Sequence, residues 1–299
     1  MILAEKLTKS FGKKEVLKNL CCSIDSGCIY GLVGANGAGK STFLRLLTGV
    51  YKPNEGTVEI DNSNVFDNAK VKQKFCFVAD ELYFPTGATV RSIGKMYKTF
   101  YPTFSQSYFN EKCALLNLPL NGKLTTFSKG MKRQVSMIGA LSTMCEYLFF
   151  DETFDGLDPV VRNLMKRLIC DAVAQRGATV VLTSHNLREL EDICDHLGVL
   201  FKGGILFEGD VNNIKTGVCK VQVAFTEPIE NLDLSGLEIM NKTTQGSVST
   251  LVVKGDIETT TEYLKKFSPV LLEVVGLTLE EVFIYEMEVL GYAFPELGI

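Results

Sequence analysis

The sequence predicts an α/β protein built on a parallel sheet, followed by a smaller domain of a few strands and a helix. Three observations carry this. Short apolar runs, at 28–33, 74–79, 146–152 and 178–183, alternate with helical patterns, the order that gives a parallel sheet covered on both faces. Residues 34–42 read Gly-Ala-Asn-Gly-Ala-Gly-Lys-Ser-Thr, which fits G-x-x-x-x-G-K-[ST], a loop that binds phosphate. Beyond about residue 210 isolated strand patterns replace the alternation, and no further phosphate loop, metal cluster or nucleophile arrangement follows.

Taken in order, the first 50 residues read strand, turn, strand, strand, phosphate loop, helix. Gly34, Gly37 and Gly39 let the backbone curl so that successive N–H groups point inward at an anion. A helix expected from near Lys40 adds its N-terminal dipole, Lys40 reaches the β- and γ-phosphates, and the Ser41 hydroxyl can ligate Mg²⁺. Residues 55–60 form a strand after a Pro-Asn-Glu-Gly turn, and 74–79 a buried one. From about 86 to 145 helical periodicity takes over, broken at Pro102, Pro119 and Gly122, so this stretch reads as a helical insertion. Strand 146–152 ends in Asp151 and Glu152, and the next helix opens at Asp158-Pro159, Asp as N-cap and Pro at the first position. A hairpin around Lys202-Gly203-Gly204 closes the body. In the remainder, 220–225, 251–253 and 270–275 read as strands. Thr278-Leu279-Glu280-Glu281 is a capping box opening a helix with Leu279, Val282, Phe283 and Leu290 on one face.

The 299 residues include 46% apolar and 22% charged, an ordinary globular composition with ample core. A net charge of −4 gives no sign of a nucleic-acid partner. No apolar stretch reaches about 18 residues and the start lacks a signal-peptide layout, so a cytoplasmic location is expected. The nine cysteines are odd in number and scattered, with no paired C-x-x-C elements, and read as reduced, mostly buried thiols.

Asp151 and Glu152 stand where α/β sheets place their chemistry, at the C-terminal end of a buried strand. In a nucleotide site Asp151 would hold Mg²⁺ through water and Glu152 would polarise the attacking water as general base. Two solvated acids after a core strand is the plainer alternative, which the loop upstream disfavours. His185, just past strand 178–183, stands where it could sense a γ-phosphate; alone, a structural histidine fits as well.

Phe127-Ser128-Lys129-Gly130-Met131-Lys132-Arg133-Gln134 is similar to the signature, usually written LSGGQ, of the ATP-binding cassette (ABC) family of transporter ATPases. Ser128 and Gly130 are kept; Phe127, Lys129 and Met131 depart from the common form in the manner of a bacterial subgroup reading SKGMK. The resemblance covers roughly residues 1–210. It implies a P-loop NTPase core of ABC ATPase type with antiparallel β and helical subdomains, the latter about 86–145, and a small α+β accessory domain over 211–299.

For the site, the resemblance implies ATP contacts from Phe11, stacked on adenine, and from Gly34, Asn36, Gly37, Ala38, Gly39, Lys40, Ser41 and Thr42. It implies Mg²⁺ held by Ser41 and Asp151, and Glu152 and His185 as catalytic groups. Ser128, Lys129, Gly130 and Met131 would face the ATP of a second cassette, and Asp158 would touch that cassette. Asp80 stands where the family usually has a glutamine near the metal, and Thr153 where proline commonly follows the catalytic acid. The function implied is an ATP-hydrolysing subunit, export-type, driving separate transmembrane permease subunits as a dimer of copies or paralogues, peripheral on the inner face of the membrane. A soluble cassette acting on ribosomes or DNA is the alternative; single-cassette length and the absence of heptads between Lys40 and Asp151 speak against it.

Overall fold

The computed structural model describes residues 1–289, apart from the side chains of 215, 216 and 286–289. Two compact units divide it, one running Met1–Glu208 and a second beginning at Gly209.

The first unit runs β1 (Ile2–Phe11), β2 (Lys14–Ile24), β3 (Ile29–Val33), α1 (Lys40–Leu47), β4 (Glu55–Ile60), β5 (Ser63–Asn64), α2 (Ala69–Lys72), β6 (Phe75–Val78), α3 (Val90–Phe100), α4 (Gln106–Leu115), α5 (Lys129–Ser142), β7 (Tyr147–Asp151), α6 (Pro159–Arg176), β8 (Thr179–Ser184), α7 (Leu187–Glu191), β9 (His196–Phe201) and β10 (Gly204–Asp210). Two sheets form. One is antiparallel, in the order β2-β1-β4-β5. Its inward residues alternate, with Ile2, Ala4 and Leu7 on β1 and Leu17, Leu20 and Ile24 on β2 all buried. The other has the order β10-β9-β3-β8-β7-β6, and its pairs from β9 through β6 are parallel. Strands β3, β7 and β8 are buried at every residue, as a parallel sheet covered on both faces requires. The edge hairpin β9–β10 turns at Lys202 and Gly203, both at positive φ, the conformation of a two-residue hairpin turn.

Helices α3, α4 and α5 lie between β6 and β7 in sequence, although these strands are neighbours in the sheet. Their packing is aromatic: Tyr97 stacks on Tyr101 and on Phe104, and Phe104 tilts against Phe109. The ends of β3, β7 and β8 therefore converge at one rim of the parallel sheet, and the loops leaving them carry the polar residues described below.

The second unit comprises α8 (Val211–Thr216), β11 (Val218–Ala224), β12 (Glu238–Gln245), β13 (Val248–Lys254), α9 (Ile257–Lys265), β14 (Leu271–Val275) and α10 (Leu279–Val289). Its sheet is antiparallel in the order β12-β13-β11-β14. Cys219, Val221, Val223, Leu251 and Val253 pack with Leu264 of α9, and Val218 and Val252 with Val282 of α10. The capping box forms as expected: Glu281 N–H donates to Thr278 Oγ1 at 3.2 Å, and Thr278 N–H to Glu281 Oε2 at 2.9 Å. Leu279, Val282 and Phe283 are buried, while Leu290 lies outside the described residues. Strand β12 and helix α9 have no counterpart in the sequence expectations.

All nine cysteines are free thiols. Seven are buried. Cys21 and Cys170 are exposed, Cys170 on the outer side of α6.

Candidate nucleotide site

The loop 34–39 joins β3 to α1. Gly39 has φ 114°, a left-handed conformation that L side chains rarely adopt, and a Cβ there would come within 2.9 Å of Leu17 Cδ2. It occupies the N-cap position of α1 without a side-chain cap. The first intrahelical bond is Phe43 N–H to Gly39 O at 2.8 Å, so the N–H groups of Lys40, Ser41 and Thr42 lack helical acceptors and face an anion-sized hollow.

A cavity of about 400 Å³ opens there. Phe11, Asn36, Gly37, Gly39, Lys40, Ser41, Thr42, Asp80 and Glu152 line it, together with Lys14 and Val16, which the sequence did not single out. Gly34 and Ala38 are not in its lining. Gly34 is instead constrained from behind, since a Cβ on it would lie 2.5 Å from Leu200 O. Phe11 ends β1, is 44% exposed, and meets Tyr51 edge to face at 5.4 Å. Tyr51 supports the ring's orientation at the cavity mouth, and Lys9 Nζ lies over the ring at 5.2 Å from its centroid.

Buried charges fill the floor. Lys40, 5% exposed, donates from Nζ to the carbonyls of Gly34 and Ala35 and pairs with Glu152 Oε1 at 3.1 Å. The other Glu152 oxygen accepts from His185, at 3.3 Å from its backbone N–H, and lies 3.0 Å from Nδ1. Glu152 has φ 49°, strained for a side-chain-bearing residue. Its N–H is held by Thr183 O and Oγ1, at 3.2 and 3.1 Å, and its carbonyl accepts from Arg133.

Asp151 is fully buried, and burial raises its carboxyl above the ordinary range, partly opposed by hydrogen bonds from Thr183 and Ser41. Both donors, Ser41 Oγ at 3.0 Å and Thr183 Oγ1 at 2.8 Å, converge on Oδ1. Oδ2 has no hydrogen-bond partner among the described residues. A buried carboxylate oxygen left unpaired is costly. An orphan oxygen beside a serine hydroxyl is an all-oxygen donor set, which fits a hard cation such as Mg²⁺ that keeps its own waters.

Asp80 lines the cavity, but its Oδ1 is taken by an ion pair with Arg133. Arg133 and Thr183 are the two residues of this network that sequence reasoning missed.

The signature lies apart from the cavity. Ser128 caps α5, its Oγ accepting from Met131 N–H at 3.1 Å. Ser128 and Lys129 are exposed, Gly130 and Met131 half-buried. Gly130 is pressed against the loop after β7, for a Cβ on it would come 2.8 Å from Gly156 O. In that same loop Asp158 caps α6, Oδ1 accepting from Val160 and Val161 N–H at 3.1 and 3.0 Å. None of Ser128, Lys129, Gly130, Met131 or Asp158 lines the cavity.

Comparison with known proteins follows the same outline. The family profile "ABC transporter" matches residues 17–155. The chain is 29% identical over 284 residues to the ABC transporter ATP-binding protein YtrB of Bacillus subtilis, covering 95% of this chain and 97% of YtrB. It is 31% identical over 218 residues to the bacitracin transport ATP-binding protein BcrA of Bacillus licheniformis, covering 72% of this chain and 71% of BcrA. A dimeric ATP-binding cassette, MJ0796, solved in a post-hydrolysis state bound to ADP and Pi, superposes with a TM-score of 0.63 at 23% identity, over 71% of this chain and 99% of that chain. The last establishes the cassette fold. With the BcrA match spanning most of both proteins, the assignment follows: the chain belongs to the ABC transporter ATP-binding subunits, and it is an ATPase.

Proposed function

We propose that this chain powers an exporter, pairing with a second cassette, a copy or a paralogue, and driving separate transmembrane permease subunits. The observation that carries the ATPase chemistry is the pair of contacts on Glu152, with Lys40 on one oxygen and His185 on the other. A carboxylate so placed is oriented by both neighbours, and a γ-phosphate reaching Lys40 arrives beside it. Adenine would stack on Phe11, and the N–H groups of 37–42 would cradle the phosphates. Ser41 and Asp151 would hold Mg²⁺, which supplies neutralisation of phosphate charge. Glu152 would take the proton of the attacking water, and His185 would report the γ-phosphate through that same carboxylate.

Ser128, Lys129, Gly130 and Met131, with Asp158, complete the site of the partner cassette: a small hydroxyl, an unobstructed backbone N–H and an exposed ammonium at the start of α5 suit a phosphate edge. The export direction is supported by the Nod factor export ATP-binding proteins I of Mesorhizobium japonicum and Burkholderia lata among the relatives, each 32% identical. Membrane attachment would run through the permease subunits; among the described residues no helix is long and apolar enough to cross a membrane. The helical insertion of about 86–145, within a cassette spanning 1–210, is the surface proposed to dock those subunits. Exposed Tyr83, Phe100 and Leu115 in and beside it support that placement. The accessory domain would be 211–299.

The test is ATP turnover of the purified chain beside Glu152→Gln, with size-exclusion chromatography in ATP and Mg²⁺. The variant is expected to lose about 10²–10⁴-fold in turnover, the scale of a general base, and to accumulate as an ATP-bound dimer. Unreduced turnover in Glu152→Gln would overturn the assignment of the base.

A further inference from the structure

We propose that Arg133 is a positioning residue for hydrolysis, holding the Glu152 backbone in its left-handed turn and neutralising Asp80 at the mouth of the same cavity. The inference rests on Glu152 being the general base. Arg133 lies one turn into α5, near the end of the signature-like segment, and is 1% exposed. Its guanidinium forks between two loops, one amino group donating to Glu152 O after β7, the other to Asp80 Oδ1 after β6. Its Nε has no partner among the described residues.

A buried guanidinium with one donor unsatisfied is a poor device for stability, since a well-packed apolar side chain would serve the fold as well. What it provides is geometry. Glu152 sits at φ 49°, and a non-glycine residue stays there only if its surroundings hold it. Thr183 fixes the N–H of Glu152 and Arg133 fixes its carbonyl, so the peptide on each side is pinned. Release of the carbonyl would let the turn relax, and the carboxylate would swing off Lys40 and His185. Arg133 has a second task. Asp80 is an acid on the wall of a cavity that receives a polyanion, and the ion pair cancels its charge.

The full-length chain is assayed as wild type, Arg133→Gln, Arg133→Lys, Asp80→Asn and the double variant Arg133→Gln/Asp80→Asn, with Glu152→Gln alongside. Turnover, KM, ATP affinity without Mg²⁺ and melting temperature are measured for each. Arg133→Gln is expected to lower kcat by about 10²-fold, the scale of a misplaced catalytic group, with any loss of Mg²⁺-free ATP affinity, the effect of the uncompensated Asp80, recovered in the double variant. Arg133→Lys keeps the charge but cannot fork to two acceptors, so kcat falls by less. In the double variant, removing the uncompensated acid restores part of kcat, so the two changes are not additive. Unchanged kcat in Arg133→Gln or Arg133→Lys would overturn the proposal. So would a joint fall of kcat, affinity and melting temperature with no rescue by Asp80→Asn, which is the signature of a merely structural arginine. Should Arg133→Gln not fold, full turnover in Arg133→Lys overturns it. Glu152→Gln separates the two readings: if it still hydrolyses, the base assignment has failed, whereas if it is inactive and the arginine variants are normal, only this inference has.

Discussion

The phosphate-loop rim and the signature edge of the same unit are built in opposite ways. At the rim, Lys40, Asp151 and Glu152 are buried and tied into one network with Ser41, Thr183, His185 and Arg133. At the signature edge, Ser128 and Lys129 are exposed, and among the described residues the Ser128 side chain bonds only its own helix start. Charge that must act on a bound phosphate is preorganised within one chain, and its desolvation is offset by internal partners. On the proposed function, the signature groups act on a phosphate belonging to another chain and would stay solvated until that chain arrives. The two regions should therefore fail differently when mutated.

At the rim, Asp151→Asn is the most damaging change after those at Glu152. Turnover is expected to fall by at least about 10²-fold, the scale of losing one group that stabilises transition-state charge. The fold should respond the other way. Because burial raises the folded carboxyl above its ordinary value, ionised Asp151 costs stability once pH rises through that window, and the cost persists at neutral pH. Asn removes the charge and keeps an acceptor for Ser41 and Thr183. Without Mg²⁺ the variant should melt at or above the wild type, while Mg²⁺ with ATP should raise the melting temperature of the wild type only. Thermal melts in both conditions check this, and an equal Mg²⁺ response in the two proteins would separate Asp151 from the metal.

At the signature edge effects on the isolated chain should be small. Asp158→Ala removes the cap of α6 and is expected to cost about 1 kcal/mol, read by denaturant unfolding. Asp158→Asn keeps the cap and should leave stability unchanged. Turnover that falls in Asp158→Asn at unchanged stability would place the charge in the partner contact; normal turnover would leave Asp158 as a helix cap alone.

Much of this was legible in the sequence because it is local. The phosphate loop, the Asp151-Glu152 strand end, the Asp158-Pro159 helix start, the Lys202-Gly203 turn and the Thr278–Glu281 box each depend on residues a few positions apart. Arg133 was not legible. Its partners Glu152 and Asp80 lie 19 and 53 residues away, and an arginine following a lysine in a helix reads as surface. Thr183 looked like one more β-branched strand residue until the register of β7 with β8 set it opposite Asp151. Strand β12 reads Glu-Ile-Met-Asn-Lys-Thr-Thr-Gln, largely exposed at a sheet edge and without apolar alternation. Helix α9 carries three consecutive threonines, which favour strands by propensity, and its packing through Thr260 and Leu264 overrides them. Asp80 shows the same limit at the site: its position was legible, its pairing with Arg133 was not.

The central claim is that each hydrolytic site takes its phosphate loop from one chain and its signature from another. It is tested most directly by mixing two variants, Lys40→Ala, which disables the loop, and Ser128→Arg, which blocks the signature. Each alone should be inactive, since every site in its dimer carries the defect. Mixed, the heterodimer regains one site with an intact Lys40 loop and an intact Ser128 edge, and turnover should appear, highest at equal amounts. A mixture as silent as its components, while the wild-type chain beside it turns over, would contradict the composite site.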